Sequence, residues 1–130
     1  MTLLSFTAED VETHVDGLSP DPELYMIAFS VGDVEVDGHS WNFSRGLDDD
    51  DDDWGVCTVR EIQKSTIYEC ITSFDLHRSS LKCKFDAKGT SDTGFSELQI
   101  IFDIDDRSWN QLTDTARIVF QDRPYFTCED

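Results

Sequence analysis

Six consecutive aspartates, Asp48–Asp53, are the side chains of this sequence with the clearest capacity for chemistry. A calcium-binding EF-hand loop needs oxygen ligands at alternate positions, Gly at its sixth position and Glu at its twelfth. A loop that starts at Asp50 places Gly55 and Glu61 correctly, but Trp54 stands at the fifth position, where an oxygen is required. Three interpretations stay open: a solvated spacer, a loop that binds a partner protein, and a calcium-responsive acidic binding module.

Two other groupings of side chains would suit catalysis. Asp103 and Asp105 flank Ile104 and have the composition of an acid–base pair. A helix cap explains Asp105 equally well, and a charge at the end of a strand explains Asp103. Cys57 with His39 would make a nucleophile and its base. Neither grouping forms a recognisable catalytic motif, and no Gly-rich phosphate loop occurs, so we expect a protein that is not an enzyme and binds no cofactor.

Charge is distributed unevenly along the 130 residues, which carry 28 acidic and 10 basic side chains and a net charge of −18. Residues 1–53 hold 15 acids and a single base, Arg45, whereas residues 54–130 hold 13 acids and nine bases. The first segment therefore has a net charge of −14 and the second a net charge of −4. Such a chain repels nucleic acid and anionic membranes, and it attracts basic proteins.

Length and composition predict one domain over residues 1–130, with a tail at 125–130 that either docks or frays. No apolar run approaches the ~20 residues that cross a bilayer, and the N-terminal residues lack the pattern of a signal peptide, so a cytoplasmic location is expected. The four cysteines form no CxxC pair and are expected to be free thiols. Cys70 and Cys83 are placed to face each other across a hairpin.

The elements that must position these residues are predicted by apolar periodicity. A strand with Leu98, Ile100 and Phe102 on one face leads into a helix capped by Asp105. The helix carries one apolar stripe, which consists of Trp109, Leu112, Ala116, Val119 and Phe120. Further strands are predicted within residues 1–15, 24–31, 34–36, 40–44, 54–59, 66–74 and 81–85, and a polar loop at 87–93. The expected fold is α+β: a mainly antiparallel sheet of about seven strands with one C-terminal amphipathic helix packed on one face.

The order of these features resembles the bacterial immunity proteins of the Imm10 type, which accompany polymorphic toxin systems. The resemblance spans roughly residues 20–120. It is carried by Leu24–Phe29, Phe43–Gly46, the acidic loop at Asp48, Ile67–Glu69, Leu81–Phe85 and Ile100–Asp105. It implies a protein that neutralises a cognate toxin by tight binding inside the producing cell.

The charge of the chain favours the same function, because toxins that act on nucleic acid have basic clefts that an acidic protein can occupy. The predicted partner is therefore a basic toxin, bound by a monomer or homodimer. In the predicted contact patch, carboxylates steer the partner and indole rings anchor it. The patch consists of Trp41, Asp48, Asp49, Asp50, Asp51, Asp52, Asp53 and Trp54.

Overall fold

The structure, a computed structural model, describes residues 3–16, 24–32, 38–46, 55–60 and 65–129. These residues form ten strands and two helices. The strands are β1 (Leu3–Thr7), β2 (Asp10–Asp16), β3 (Leu24–Val31), β4 (His39–Gly46), β5 (Cys57–Arg60), β6 (Ser65–Tyr68), β7 (Ile71–His77), β8 (Ser80–Phe85), β9 (Glu97–Ile101) and β10 (Phe126–Glu129). The helices are α1 (Ala87–Thr93) and α2 (Asp106–Val119).

The strands are arranged in two five-stranded sheets. The sheet that we call the meander sheet has the order β2-β3-β4-β5-β6, and all its neighbours are antiparallel. The sheet that we call the mixed sheet has the order β1-β9-β8-β7-β10, with parallel pairs at both edges and antiparallel pairs in the centre. The α+β class is confirmed, whereas the prediction of a single sheet of about seven strands with one helix is wrong.

The single sheet was wrong because two stretches that looked like continuous strands bend and change sheet. Residues 3–16 bend after β1: the Ala8 N–H donates to the Ile101 carbonyl in the mixed sheet (2.7 Å), and the Glu9 N–H donates to the Ser30 carbonyl in the meander sheet (2.8 Å). Residues 66–74 bend at Glu69, which has a left-handed backbone with φ of 53°. The inward positions change from even to odd numbers at the first bend, from Phe6 and Ala8 to Val11, and from odd to even at the second, from Ile67 to Phe74. The strands on either side are too short for their own patterns to reveal this break.

The second helix, α1, occupies the stretch that was predicted to be a polar loop. Its residues form no apolar stripe, but both of its ends carry strong capping residues. The Asp86 carboxylate accepts from the Gly89 N–H (2.7 Å), and Gly94 ends the helix in the left-handed conformation with φ of 86°.

The two sheets face each other through aromatic side chains. Phe43 of the meander sheet meets Phe74 of the mixed sheet edge to face, with ring centroids 5.0 Å apart. Trp41 stacks on Phe85 at 5.9 Å, and Phe29 packs against Phe102 at 5.7 Å. All six side chains are buried, so these contacts form the centre of the core.

Helix α2 forms as predicted and packs on the inward face of the meander sheet, against β2, β3 and β4. Every member of the predicted apolar stripe is buried. The Asp105 carboxylate caps the helix by accepting from the Ser108 N–H (2.8 Å). Hydrogen bonding to the backbone and side chain of Ser108 lowers the pKa of Asp105. The helix ends at Phe120, whose ring lies 4.3 Å from that of Phe74.

The C-terminal tail docks, since β10 pairs in parallel with β7 as far as Glu129. The predicted hairpin between β7 and β8 is present, but its register places Cys83 opposite Phe74. The Cys70 carbonyl instead accepts from the Asp86 N–H (2.9 Å), so Cys70 and Cys83 do not face each other, and all four cysteines are free thiols. Neither helix of the described chain is long and apolar enough to cross a membrane.

Gly89 gives a test of how closely α1 packs against the sheet. A Cβ atom at this position would lie 2.9 Å from the Cys70 Cβ and 3.0 Å from the Phe85 Cβ. Gly89→Ala should therefore destabilise the protein by about 1–3 kcal/mol, the range for overpacking, despite a gain of roughly 1 kcal/mol in helix propensity. Urea denaturation of this variant, with the exposed Ser91→Ala of the same helix as the control, measures the difference. A Gly89→Ala protein as stable as the control would contradict the close packing.

Candidate partner-binding surface

The aspartate run, Asp48–Asp53, and Trp54 lie outside the described residues. The structure does describe the two points at which this segment joins the fold, Gly46 at the end of β4 and Gly55 just before β5. Strands β4 and β5 are antiparallel neighbours, with Ser44 opposite Cys57. The run therefore joins two paired strands of the meander sheet, whereas an EF-hand loop joins two helices.

Both attachment points are held by residues from distant parts of the sequence. The Arg45 side chain is 5% exposed and donates to the Gln121 carbonyl (2.6 Å) in the turn between α2 and β10. On the other side, Gly55 has φ of +82° and lies so close to the Glu69 carboxylate that a Cβ atom would overlap it. Glu69 also forms an ion pair with Arg123. The fold thus fixes the two ends of the acidic segment.

Trp41 does not belong to the surface on which it was predicted. It is fully buried, and its indole packs against Phe85 at 5.9 Å and Phe95 at 6.5 Å. Because side chains alternate along a strand, Trp41 shares the inward face of β4 with Phe43. The prediction that Trp41 anchors a partner is wrong, and the alternation of Trp41, Asn42 and Phe43 was a signal that placed both aromatic residues inside.

Exposed apolar side chains lie elsewhere on the meander sheet, and sequence reasoning missed them. Leu24 is 37% exposed and stands opposite Gly46, next to the start of the acidic segment. Tyr68 is 46% exposed and stands opposite Cys57, close to the end of that segment. The buried neighbour Ile67 was the available signal, since alternation then directs Tyr68 outward.

The chain segments that build the meander sheet and its connections carry most of the negative charge of the sequence. Residues 8–69, which build this sheet and its connections, include 17 acids and three bases, for a net charge of −14. Residues 70–130 include 11 acids and seven bases, for a net charge of −4. The charge asymmetry of the sequence therefore becomes an asymmetry between the chain segments that form the two sheets.

The described bases of the meander strands do not offset this charge at the surface, because both point inward. Arg45 is buried, and Arg60 donates to the Thr93 carbonyl (2.9 Å) while its guanidinium lies 4.9 Å from the centre of the Phe95 ring. The mixed sheet, by contrast, presents Lys82 and Lys84 on exposed outward positions of β8.

The structure does not assemble the catalytic groupings considered above. His39 lies on the inward face of β4, is partly exposed, and stacks on Phe6 with ring centroids 5.0 Å apart. Cys57 points outward opposite Ser44, and Ser44 is five residues, or about 16 Å, from His39 along β4. Burial raises the pKa of the Cys57 thiol, which disfavours the reactive thiolate. Asp105 serves as the cap of α2. Within the part of the chain that the structure describes, no three His, Cys, Asp or Glu side chains lie close enough to hold a metal ion.

Comparisons of the chain with protein-family models, with curated proteins and with solved structures found no match. The resemblance to immunity proteins therefore stays a prediction, carried by the strand and helix patterns given above. The structure contributes the placement of exposed apolar side chains on the meander sheet.

The burial of Trp41 has a measurable consequence. Trp41→Ala should lower the free energy of unfolding by about 3–5 kcal/mol, because it removes a large ring from a closed core. Urea denaturation measures this loss. Tyr68→Ala is the matched control, since it truncates an exposed aromatic ring on the same sheet and should change stability by about 0.5 kcal/mol or less. Equal stability of the Trp41→Ala variant and the native protein would contradict the inward placement of Trp41.

Proposed function

We propose that this chain is an immunity protein that binds and neutralises a cognate bacterial toxin domain in the cytoplasm. The partner is a basic protein, and a toxin that acts on nucleic acid fits this description. The observation that carries the proposal is the concentration of negative charge on the segments that build the meander sheet, −14 over residues 8–69. The resemblance to immunity proteins of the Imm10 type supports the same function.

A net charge of this size has an energetic cost for the protein that carries it. Like charges repel each other, and this repulsion favours the unfolded chain. Six adjacent carboxylates at Asp48–Asp53 add to that cost locally. A basic partner removes the repulsion on binding and is attracted over a distance of about one Debye length, roughly 8–10 Å at moderate salt. The negative charge therefore does not serve folding, whereas it would serve the binding of a basic partner.

The proposed contact patch has a different composition from the patch that the sequence predicted. The aspartate run remains as the steering element, and Trp54 remains as a proposed anchor beside it. Trp41 is excluded because it is buried. Leu24 and Tyr68 take its place, because both are exposed on the meander sheet near the attachment points of the run. Apolar and aromatic anchors next to charged groups are typical of tight protein interfaces.

The test uses the C-terminal domain of the protein encoded directly upstream of this chain, where a cognate toxin gene is expected. Coexpression of the two proteins should restore growth to cells that the toxin domain alone kills. In stopped-flow measurements, substitution of Asp48–Asp53 by Asn should slow association at least tenfold at low salt and flatten its salt dependence. The dissociation rate should change much less, because steering acts on the encounter of the two proteins.

A matched pair of triple variants separates the aspartate run from net charge in general. Asp48–Asp50 changed to Asn is compared with Asp103→Asn, Asp114→Asn and Glu129→Gln, three exposed acids from the second part of the chain. Equal slowing by both triples would contradict the proposed patch. Binding that requires added calcium would favour the alternative of a calcium-responsive module. A toxin domain that neither binds nor is neutralised would overturn the proposed function.

A further inference from the structure

The outward face of the meander sheet has an unusual composition for so highly charged a protein. At the outward positions of β3, β4, β5 and β6, the structure places no Lys, Arg, Asp or Glu. The centre of this face, which we call the neutral face, consists of Met26, Ala28, Asn42, Ser44, Cys57 and Val59. The outward face of the mixed sheet differs, since it carries Lys82 and Lys84 among its exposed side chains.

The neutral face is formed by two rows of side chains that run straight across the strands. In one row, Ala28, Asn42 and Val59 are direct cross-strand partners. Each residue of the neutral face is partly exposed, whereas the inward neighbours Phe29 and Phe43 are fully buried. Small side chains on a regular antiparallel sheet produce a nearly flat surface, and none of the described elements covers it.

The borders of the neutral face carry the features of an interface rim. Each row starts at strand β2, where Glu12 stands opposite Ala28 and His14 opposite Met26. The Glu12 side chain is 63% exposed. The other border, at β6, carries the exposed Tyr68. A centre depleted of charge within a polar rim is the usual anatomy of a protein–protein interface.

The size of the face also suits a protein partner. The four strands β3–β6, each about 4.8 Å wide, span about 19 Å, and their mean length of about six residues extends about 20 Å. The flat area is therefore roughly 380 Å², about half of the ~800 Å² that each side of a standard interface buries.

We propose that the neutral face is the docking surface on which the basic partner is seated. The inference rests on the proposed function and deepens it, since it assigns the centre of the interface to residues that carry no charge. Charge complementarity selects the partner. The border of this face at β2 carries the exposed carboxylates of Asp10 and Glu12. The described bases of the meander strands, Arg45 and Arg60, both point to the interior. Carboxylates at the rim bring the partner in, and the uncharged rows then make the close contact.

The test places a bulky positive charge at the centre of the neutral face. Asn42→Arg should weaken binding of the upstream-encoded toxin domain by about 100-fold, because a cation then faces a basic partner. The matched control is Gln99→Arg, which makes the same change of charge at a partly exposed outward position of β9 in the mixed sheet. This control should change the dissociation constant by less than about threefold. Urea denaturation establishes that both variants are folded.

A second measurement needs no substitution, because the native cysteines report on two different parts of the protein. Cys57 belongs to the neutral face and Cys128 to the edge strand β10 of the mixed sheet, and both side chains are partly exposed. The toxin domain should slow alkylation of Cys57 by iodoacetamide at least tenfold, as followed by peptide mass mapping. It should leave the alkylation of Cys128 unchanged. If Asn42→Arg does not fold, the alkylation of Cys57 by itself tests the proposed docking surface.

The outcomes separate the two proposals. Unchanged binding by Asn42→Arg and unchanged labelling of Cys57 in a salt-dependent complex would overturn the docking surface and leave the proposed function intact. Equal weakening by Asn42→Arg and Gln99→Arg would also overturn the docking surface. The absence of any complex with the native protein would overturn both.

Discussion

The packing of aromatic rings between the two sheets is the interaction on which the rest of the structure depends. Phe43, Phe74 and Phe120 meet at one point of this core, so that the meander sheet, the mixed sheet and helix α2 are joined there. Burial of each ring contributes on the order of 1.5–3 kcal/mol. A chain with a net charge of −18 needs this contribution, because the mutual repulsion of its carboxylates favours unfolding.

The aromatic core also determines which side chains reach the surface. Once Trp41 and Phe43 face inward, the one residue between them on β4, Asn42, must face outward and lies in the neutral face. The same register turns Arg45 inward, where it donates to a backbone carbonyl near the base of the acidic segment. The alternation of side chains along β4 therefore determines both which residues pack in the interior and which residues reach the surface.

Local patterns predicted the parts of the fold that local forces decide. The stripe from Trp109 to Phe120 and the cap at Asp105 identified α2 because a helix repeats and ends by rules that act within a few residues. The number of sheets could not be predicted, because the bends near Ala8 and at Glu69 shift the alternation by only one residue between short strands, and such a shift is easily read as one continuous strand. Helix α1 was missed because it has caps but no apolar stripe.

The acidic character of the candidate site was predictable from the sequence, whereas the positions of its exposed apolar side chains were not. The aspartate run was evident from the sequence, whereas the exposure of Leu24 and Tyr68 follows from the register of the sheet, which a single strand pattern does not fix. The neutral face depends on the alignment of four strands at once. A surface formed by several strands can be identified only when the cross-strand partners of its residues are known.

The most direct measurement is the stability of the free protein after Asp48–Asp53 are changed to Asn, followed by urea denaturation over a series of salt concentrations. If the carboxylates serve a partner and not the fold, the variant should be at least as stable as the native protein. The difference in free energy of unfolding between the variant and the native protein should become smaller as salt screens the repulsion. A variant that is less stable than the native protein at every salt concentration would show that the run stabilises the fold, and would contradict the account.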